Sequence, residues 1–173
     1  YSFTGESCRI DLENPKLWTP EEPNIYRFTL TSGEDTVKSY FALRTVEAKG
    51  TDILLNGKPY FFNGLLDQGY YSDGIYLPAS YEGYKYDILK MKELGFNMLR
   101  KHIKVEPLRW YYHCDKIGMI VWQDMVSGAK HPGNFLVGAV PFFQISVKDD
   151  AYALFHREEK AWRDQFEDEL EQM

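Results

Sequence analysis

Cysteine is nearly absent: Cys8 and Cys114 are the only two in 173 residues. Two thiols do not make the framework of a disulfide-stapled domain. They suit reduced side chains in a core and weigh towards a cytoplasmic setting. No second Cys or His stands at ligand spacing beside either, so no metal site is read. Long apolar runs are missing as well. None approaches the roughly 20 residues of a membrane span, so no membrane partner is expected. No charged segment followed by an apolar one opens the chain as a signal peptide would. Positive charge is also short: 20 Lys and Arg stand against 26 Asp and Glu, a net charge of −6. Nucleic acid needs a basic face to neutralise its phosphates, so it is excluded as the main partner. Neither a phosphate loop nor a Gly-x-Ser-x-Gly elbow is present, and no cofactor is expected.

What is present is apolar enough to fold. Hydrophobic residues make up 44% and aromatics 16%, which argues for a packed core rather than disorder. The length suits one domain or parts of two. Before Lys49-Gly50 the chain reads as all-β. "IYRFTLT" alternates, with Tyr26, Phe28 and Leu30 on one face, and "VKSYFALRTVEA" alternates again with Val37, Phe41 and Leu43 in phase. The turn residues "SGED" between them predict an antiparallel hairpin. Such hairpins belong to sandwiches, which take about 100 residues, so residues 1–48 read as the last part of one.

From residue 49 to 173 the grammar becomes strand and helix in alternation. Asn56-Gly57 is a strong hairpin signal, and the apolar strand "YFFNGLLDQ" follows. After Ser80, an N-cap residue, Tyr81, Tyr84, Ile88, Met91 and Leu94 recur at helical spacing up to Gly95. The strand "FNMLR" comes next. A second helix opens with Pro107 at its first position, carries Leu108, Tyr111 and Cys114 inward, and ends at Gly118 before the strand "MIVWQDM". The segments "KELGFNMLR" and "DKIGMIVWQD" can be superposed, a weak repeat that signals consecutive βα units of a parallel sheet. From about Asp150 a charged amphipathic helix carries Trp162, Phe166, Leu170 and Met173 on one stripe.

In parallel α/β proteins the ligand site lies at the carboxyl ends of the strands. Three strand ends carry polar groups here: Asp67-Gln68, the run Arg100, Lys101, His102 and Lys104, and Gln123-Asp124. Together they form one wall of a polar pocket. Each also has a plainer role open to it. Arg100 can pair with Asp67 or Asp124, His102 can be a satisfied structural histidine, and Asp124 can be a cap. Lys104 can be a loop charge, and alternation turns Lys101 to solvent. Trp122 can pack or stack on a sugar ring, and Tyr70, Tyr71 and Tyr76 are read as loop packing.

Four segments in fixed order, "NPKLWTPEEPNIYRFTL", "YFALRTVEAKGTDILLNGKPYFFNG", "YKYDILKMKELGFNMLRKH" and "CDKIGMIVWQDM", resemble glycoside hydrolase family 2, the β-galactosidase and β-glucuronidase type. The resemblance covers nearly the whole chain except about Ser127 to Asp149. It implies an α/β fold: the first three βα units of a (β/α)8 TIM barrel at 49–173, preceded by the last strands of an immunoglobulin-like β-sandwich at 1–48. It implies a retaining glycosidase acting on a carbohydrate, with Asp67, Gln68, Arg100, His102, Lys104, Trp122 and Asp124 as candidate substrate-binding residues. Arg100 matches a family arginine beside the subsite of bond cleavage. Where family members read Arg-x-Ser-His-Tyr-Pro, this chain reads Arg-Lys-His-Ile-Lys-Val-Glu-Pro, so His102 is shifted and Lys104 can share its role. Asp67-Gln68 and Gln123-Asp124 replace the Arg-His and Asp-Glu pairs common elsewhere.

The family's acid/base glutamate lies in an Asn-Glu pair after the fourth barrel strand, and this chain has no Asn-Glu pair. No catalytic residue is therefore assigned within it. The isolated chain is expected to be inactive and to self-associate or lean on the remainder of the barrel. A non-catalytic carbohydrate-binding or scaffold module is the alternative. An enzyme using His102 and Asp124 as an acid/base dyad ranks last.

Overall fold

The computed structural model describes residues 2–5, 7–125, 138–146, 148 and 156–173. The chain separates into two compact units, Tyr1–Gln123 and Asp124–Met173.

In the first unit, β1 (Tyr26–Ser32) and β2 (Asp35–Phe41) form the antiparallel hairpin foreseen, with Tyr26 opposite Phe41 and Leu30 opposite Val37. Their shared apolar face holds a stacked Tyr26–Phe41 pair at 5.3 Å, yet Phe28, Leu30, Val37 and Phe41 are all exposed. A second antiparallel sheet joins β3 (Val46–Lys49), β4 (Asp52–Leu55) and β5 (Lys58–Pro59). Its β4–β5 turn is Asn56-Gly57, with φ of 53° and 74°. Two successive positive φ values match the strand twist, which is why Asn-Gly is favoured there. The Asn56 side chain also accepts from Thr45 N–H at 3.0 Å and donates to the Trp18 carbonyl at 3.0 Å. Trp18 is buried, and its indole N–H donates to the Asp115 carbonyl at 2.7 Å.

The third sheet is parallel: β6 (Gly64–Asp67), β7 (Met98–Lys101) and β8 (Ile120–Gln123), in that order. Helices α1 (Tyr81–Glu93) and α2 (Leu108–Ile117) connect the strands. Tyr84, Ile88, Leu99, Trp110, Cys114 and Met119 make the core between helices and sheet. The two segments superposed in the sequence form neighbouring parallel strands, Met98 beside Ile120 and Leu99 beside Val121, one residue out of the alignment that matches Gly95 to Gly118.

Several helix expectations need correction. Tyr81 and Leu94 lie at the two ends of the α1 stripe and are exposed, because only Tyr84, Ile88 and Met91 reach the sheet. Ser80 is the N-cap, but its side chain makes no capping bond. Pro107 is the N-cap of α2 rather than its first helical residue, with an extended ψ of 147°. Leu108 is 86% exposed, and Trp110 takes the buried place expected of it. Cys114 is buried as expected, but Cys8 is exposed, not a core residue; both are free thiols.

The second unit contains α3 (Val140–Phe142) and α4 (Lys160–Gln172). The terminal helix thus begins at Lys160, and 150–155, where it was expected to start, lie outside the described residues. Trp162 and Phe166 of its stripe are half-buried, and Leu170 and Met173 are exposed.

Candidate functional site

Parallel register aligns the three strand ends. Leu66, Arg100 and Trp122 form one cross-strand row, and Asp67, Lys101 and Gln123 form the next. Successive residues point to opposite sides of a sheet. The first row is therefore open, with Arg100 exposed and Trp122 44% exposed beside Phe62, ring centroids 5.7 Å apart. The second row lies under the helices.

That second row is where the charges go. Lys101 is 0% exposed. Its ammonium donates to Asp67 at 2.8 Å and to Glu106 at 2.9 Å, and it lies 4.3 Å from the centre of the Trp110 ring. Lys104 is also buried and reaches the same Glu106 oxygen at 2.9 Å. Its ammonium donates further to the carbonyls of Gly69 at 2.7 Å and Tyr76 at 2.5 Å. Two ammonium groups meet two carboxylates, so the buried cluster is neutral. A buried charge survives only when so paired and hydrogen-bonded. One atom is left over: Glu106 Oε2 is buried without a partner.

Tyr111 extends the cluster along the edge. Its hydroxyl accepts from Glu106 N–H at 3.2 Å and donates to Gln123 Oε1. Gln123 Nε2 donates to the Lys104 carbonyl at 3.0 Å. Burial pushes the Tyr111 phenol up, so it stays a donor. Gly69 sits directly behind the charges. Its φ is 66°, and a Cβ there would meet Glu106 Oε1 at 2.3 Å. Its N–H donates to Asp67 Oδ1 at 2.8 Å.

The sequence-derived candidates thus divide. Arg100 and Trp122 share the open row, and exposed Gln68 follows β6. His102 is half-buried, with its N–H donating to the Asp67 carbonyl at 2.9 Å. Asp67 is largely taken up by Lys101 and the Gly69 amide. Asp124 follows Gln123 directly and opens the second unit. Lys101 corrects the reading that alternation turns it to solvent: the side opposite the open row is covered by α1 and α2. Lys104 is likewise not at the open edge. Its three protons are taken by Glu106 and two carbonyls.

Glu106 went unnoticed in the sequence. Its signal was the Lys-x-x-Lys-x-Glu spacing in a loop too short to separate the charges. Asp87 on α1 was also missed. It lines a cleft of about 550 Å³ on the β6 side with Asp67, Gln68 and Tyr70. Burial, and then the nearby Asp67, raise its carboxyl pKa. Tyr71 packs as expected, edge-on to Tyr84 at 5.7 Å, while Tyr70 and Tyr76 are exposed. Among the described residues, no His, Cys, Asp and Glu group could hold a metal. No described helix is long and apolar enough to cross a membrane.

These features define a parallel βα segment with polar groups at its carboxyl edge. Comparison with known proteins gives the family to which it is similar. Residues 2–44 match the family model described as Glycosyl hydrolases family 2. A β-galactosidase of Pectobacterium atrosepticum is 33% identical over 122 residues, 66% of this chain and 12% of that protein. A solved Bacteroides uniformis β-glucuronidase is 32% identical with a TM-score of 0.58, covering 69% of this chain and 15% of that one. An Eisenbergiella tayi family 2 β-galacturonidase, solved bound to galacturonate, is 25% identical with a TM-score of 0.57 over 62% of this chain and 19% of that one. The family 2 resemblance read from the sequence is thus shown: the chain matches a portion of a family 2 glycosyl hydrolase. It spans less than a fifth of the length of each of these relatives.

Proposed function

We propose that this chain contributes one wall of the sugar site of a retaining β-glycosidase. Residues 49–173 would supply the first three βα units of a (β/α)8 barrel, and residues 1–48 the end of an immunoglobulin-like sandwich. The observation that carries the reading is the open row at the strand ends. It sets Arg100 and Trp122, both exposed, as direct cross-strand neighbours. A guanidinium donates to hydroxyls or a carboxylate, and an indole face covers the apolar side of a sugar ring. Gln68 and His102 complete the proposed polar wall. Lys104, offered by sequence as a sugar contact, is left out because its ammonium is buried and fully occupied. The ligand class is supported by relatives that act on β-galactosides and β-glucuronides and by one that holds galacturonate.

Retention requires two carboxylates about 5–5.5 Å apart, one nucleophile and one acid/base. Under this reading both lie outside these 173 residues, and the chain by itself does not hydrolyse glycosides. The exposed β1–β2 face and the edges of a three-stranded sheet support a dependence on further chain or on self-association.

The test is hydrolysis of aryl β-galactosides and aryl β-glucuronides by the full-length protein. Activity should appear on one of them. Arg100→Ala should then lower kcat/KM by roughly 10- to 100-fold, the value of a charge-assisted hydrogen bond. A full-length protein that binds these sugars without cleaving them would instead make the chain part of a carbohydrate-binding module.

A further inference from the structure

Lys104 has a role that a sugar wall does not explain. Its ammonium leaves the β7–α2 loop and reaches the β6–α1 loop, where the carbonyls of Gly69 and Tyr76 accept from it. These two residues are the two ends of one short excursion. Within it, Tyr71 and Ile75 exchange both backbone hydrogen bonds at 2.8 Å. Residues 69–76 are therefore a closed loop, held at its neck by one nitrogen. An ammonium has three protons, and the third goes to Glu106 Oε1. No proton remains for a ligand. The aromatic rings reinforce the grip, with the Tyr76 ring centre 4.5 Å and the Tyr71 ring centre 5.5 Å from the same ammonium.

The loop's other ties are the Gly69 N–H to Asp67 at 2.8 Å and the Asp73 carboxylate, which accepts from the Gly74 and Ala79 amides at 2.8 and 3.1 Å. Ser72, Asp73, Gly74 and Ile75 are exposed, and Ile75 sits at a φ of 59° that a β-branched residue rarely adopts. Tyr71 alone turns into the core, against Tyr84. Exposed Tyr70 and Tyr76 stand at the two sides of the neck. Moving the loop would move both rings, and Tyr70 lines the same cleft as Asp67 and Gln68.

We propose that Lys104 is a positioning residue: backed by Glu106, it clamps the loop Gly69–Tyr76 as one flank of the sugar cleft, without touching the sugar. This rests on the glycosidase reading above. The clamp itself stands on the hydrogen bonds alone.

The experiment uses the full-length protein and the double variant Lys104→Met, Glu106→Gln. Removing one charge of each sign keeps the cluster neutral, with Lys101 still paired to Asp67. Hydrogen exchange is read at the amides of 70–76 and of β6–β8, and KM and kcat are read on an aryl β-glycoside. Exchange at 70–76 should rise at least tenfold with the strands unchanged. KM should rise about tenfold while kcat stays within about twofold. Unchanged exchange at 70–76 in the folded variant would overturn the clamp. A released loop with unchanged KM would overturn its part in the cleft. If the strands also lose protection, Lys104→Arg repeats the test, since its flat fork cannot serve three acceptors gathered around one nitrogen. If the unmodified protein cleaves neither glycoside, the glycosidase reading fails, and the exchange result still decides the clamp.

Discussion

Lys101 and Glu106 form an ion pair at 2.9 Å in which neither side chain meets solvent. Such pairs are costly to bury and costlier to break, because the partner left behind is a charge without solvent. Lys101→Met leaves Glu106 paired with Lys104 alone and the cluster one cation short, and should destabilise the chain by about 3 kcal/mol, the low end for a broken buried pair. Urea unfolding, read by the shift of its midpoint at constant slope, measures it. A loss below about 1 kcal/mol would mean that water reaches the cluster.

Gly69 is constrained twice, by its left-handed backbone and by the carboxylate behind it. Gly69→Ala should cost about 1–3 kcal/mol. Gly50, equally left-handed but with open space around it, is the control. Gly50→Ala should lose only about 1 kcal/mol of backbone strain. Thermal melts of the two variants compare them directly, and equal losses would remove the cluster from the explanation.

The two thiols should separate cleanly. Cys8 is exposed, whereas Cys114 is buried and its pKa is driven well above the ordinary thiol value by burial. The thiolate is the reactive form. A disulfide reagent at pH 8 should modify Cys8 at once in the native chain and Cys114 only after denaturant is added. Two fast thiols in the native state would contradict the packed α2–sheet core.

His113 should make stability fall in mild acid. Burial, then the positive charges of Arg109 and Lys85, lower its pKa below 6.5. The unfolded chain then binds the proton more readily than the folded one, so stability rises with pH in this range. The contribution is present above the unfolded value and is lost as pH falls through it towards the folded value. His113→Gln should flatten this part of the stability curve between about pH 7 and pH 5. A titration midpoint above 6.5, read from the imidazole proton signals, would reverse the sign.

The fold was legible where local chemistry acts alone. Alternation marked β1 and β2, Asn56-Gly57 marked a turn that few other pairs can make, and the Gly95 and Gly118 breaks marked the repeat. Strand-end chemistry was half legible. Arg100 and Lys101 are neighbours in a run of cations, but the pleat sends one to the open row and the other under Trp110. Treating the far side of the sheet as solvent overlooked that α1 and α2 cover it. Lys104 was misread for a related reason. Its acceptors are carbonyls of Gly69 and Tyr76, and backbone acceptors leave no mark in a sequence. Leu108 was expected inward with Tyr111 and Cys114, but it lies exposed and Trp110 shares the buried face with Cys114 instead.

The clasp at the neck of residues 69–76 also bears on how such a scaffold can be rebuilt. The anchor of that loop is encoded some 28 residues later in the chain, on a different connection. A loop transplanted from a relative would arrive without its fastening, and the lysine left behind would face a void with its charge intact. The exchangeable part is thus the pair, 67–76 together with 101–106. Libraries that vary one stretch alone would mostly sample unhinged loops rather than new specificities.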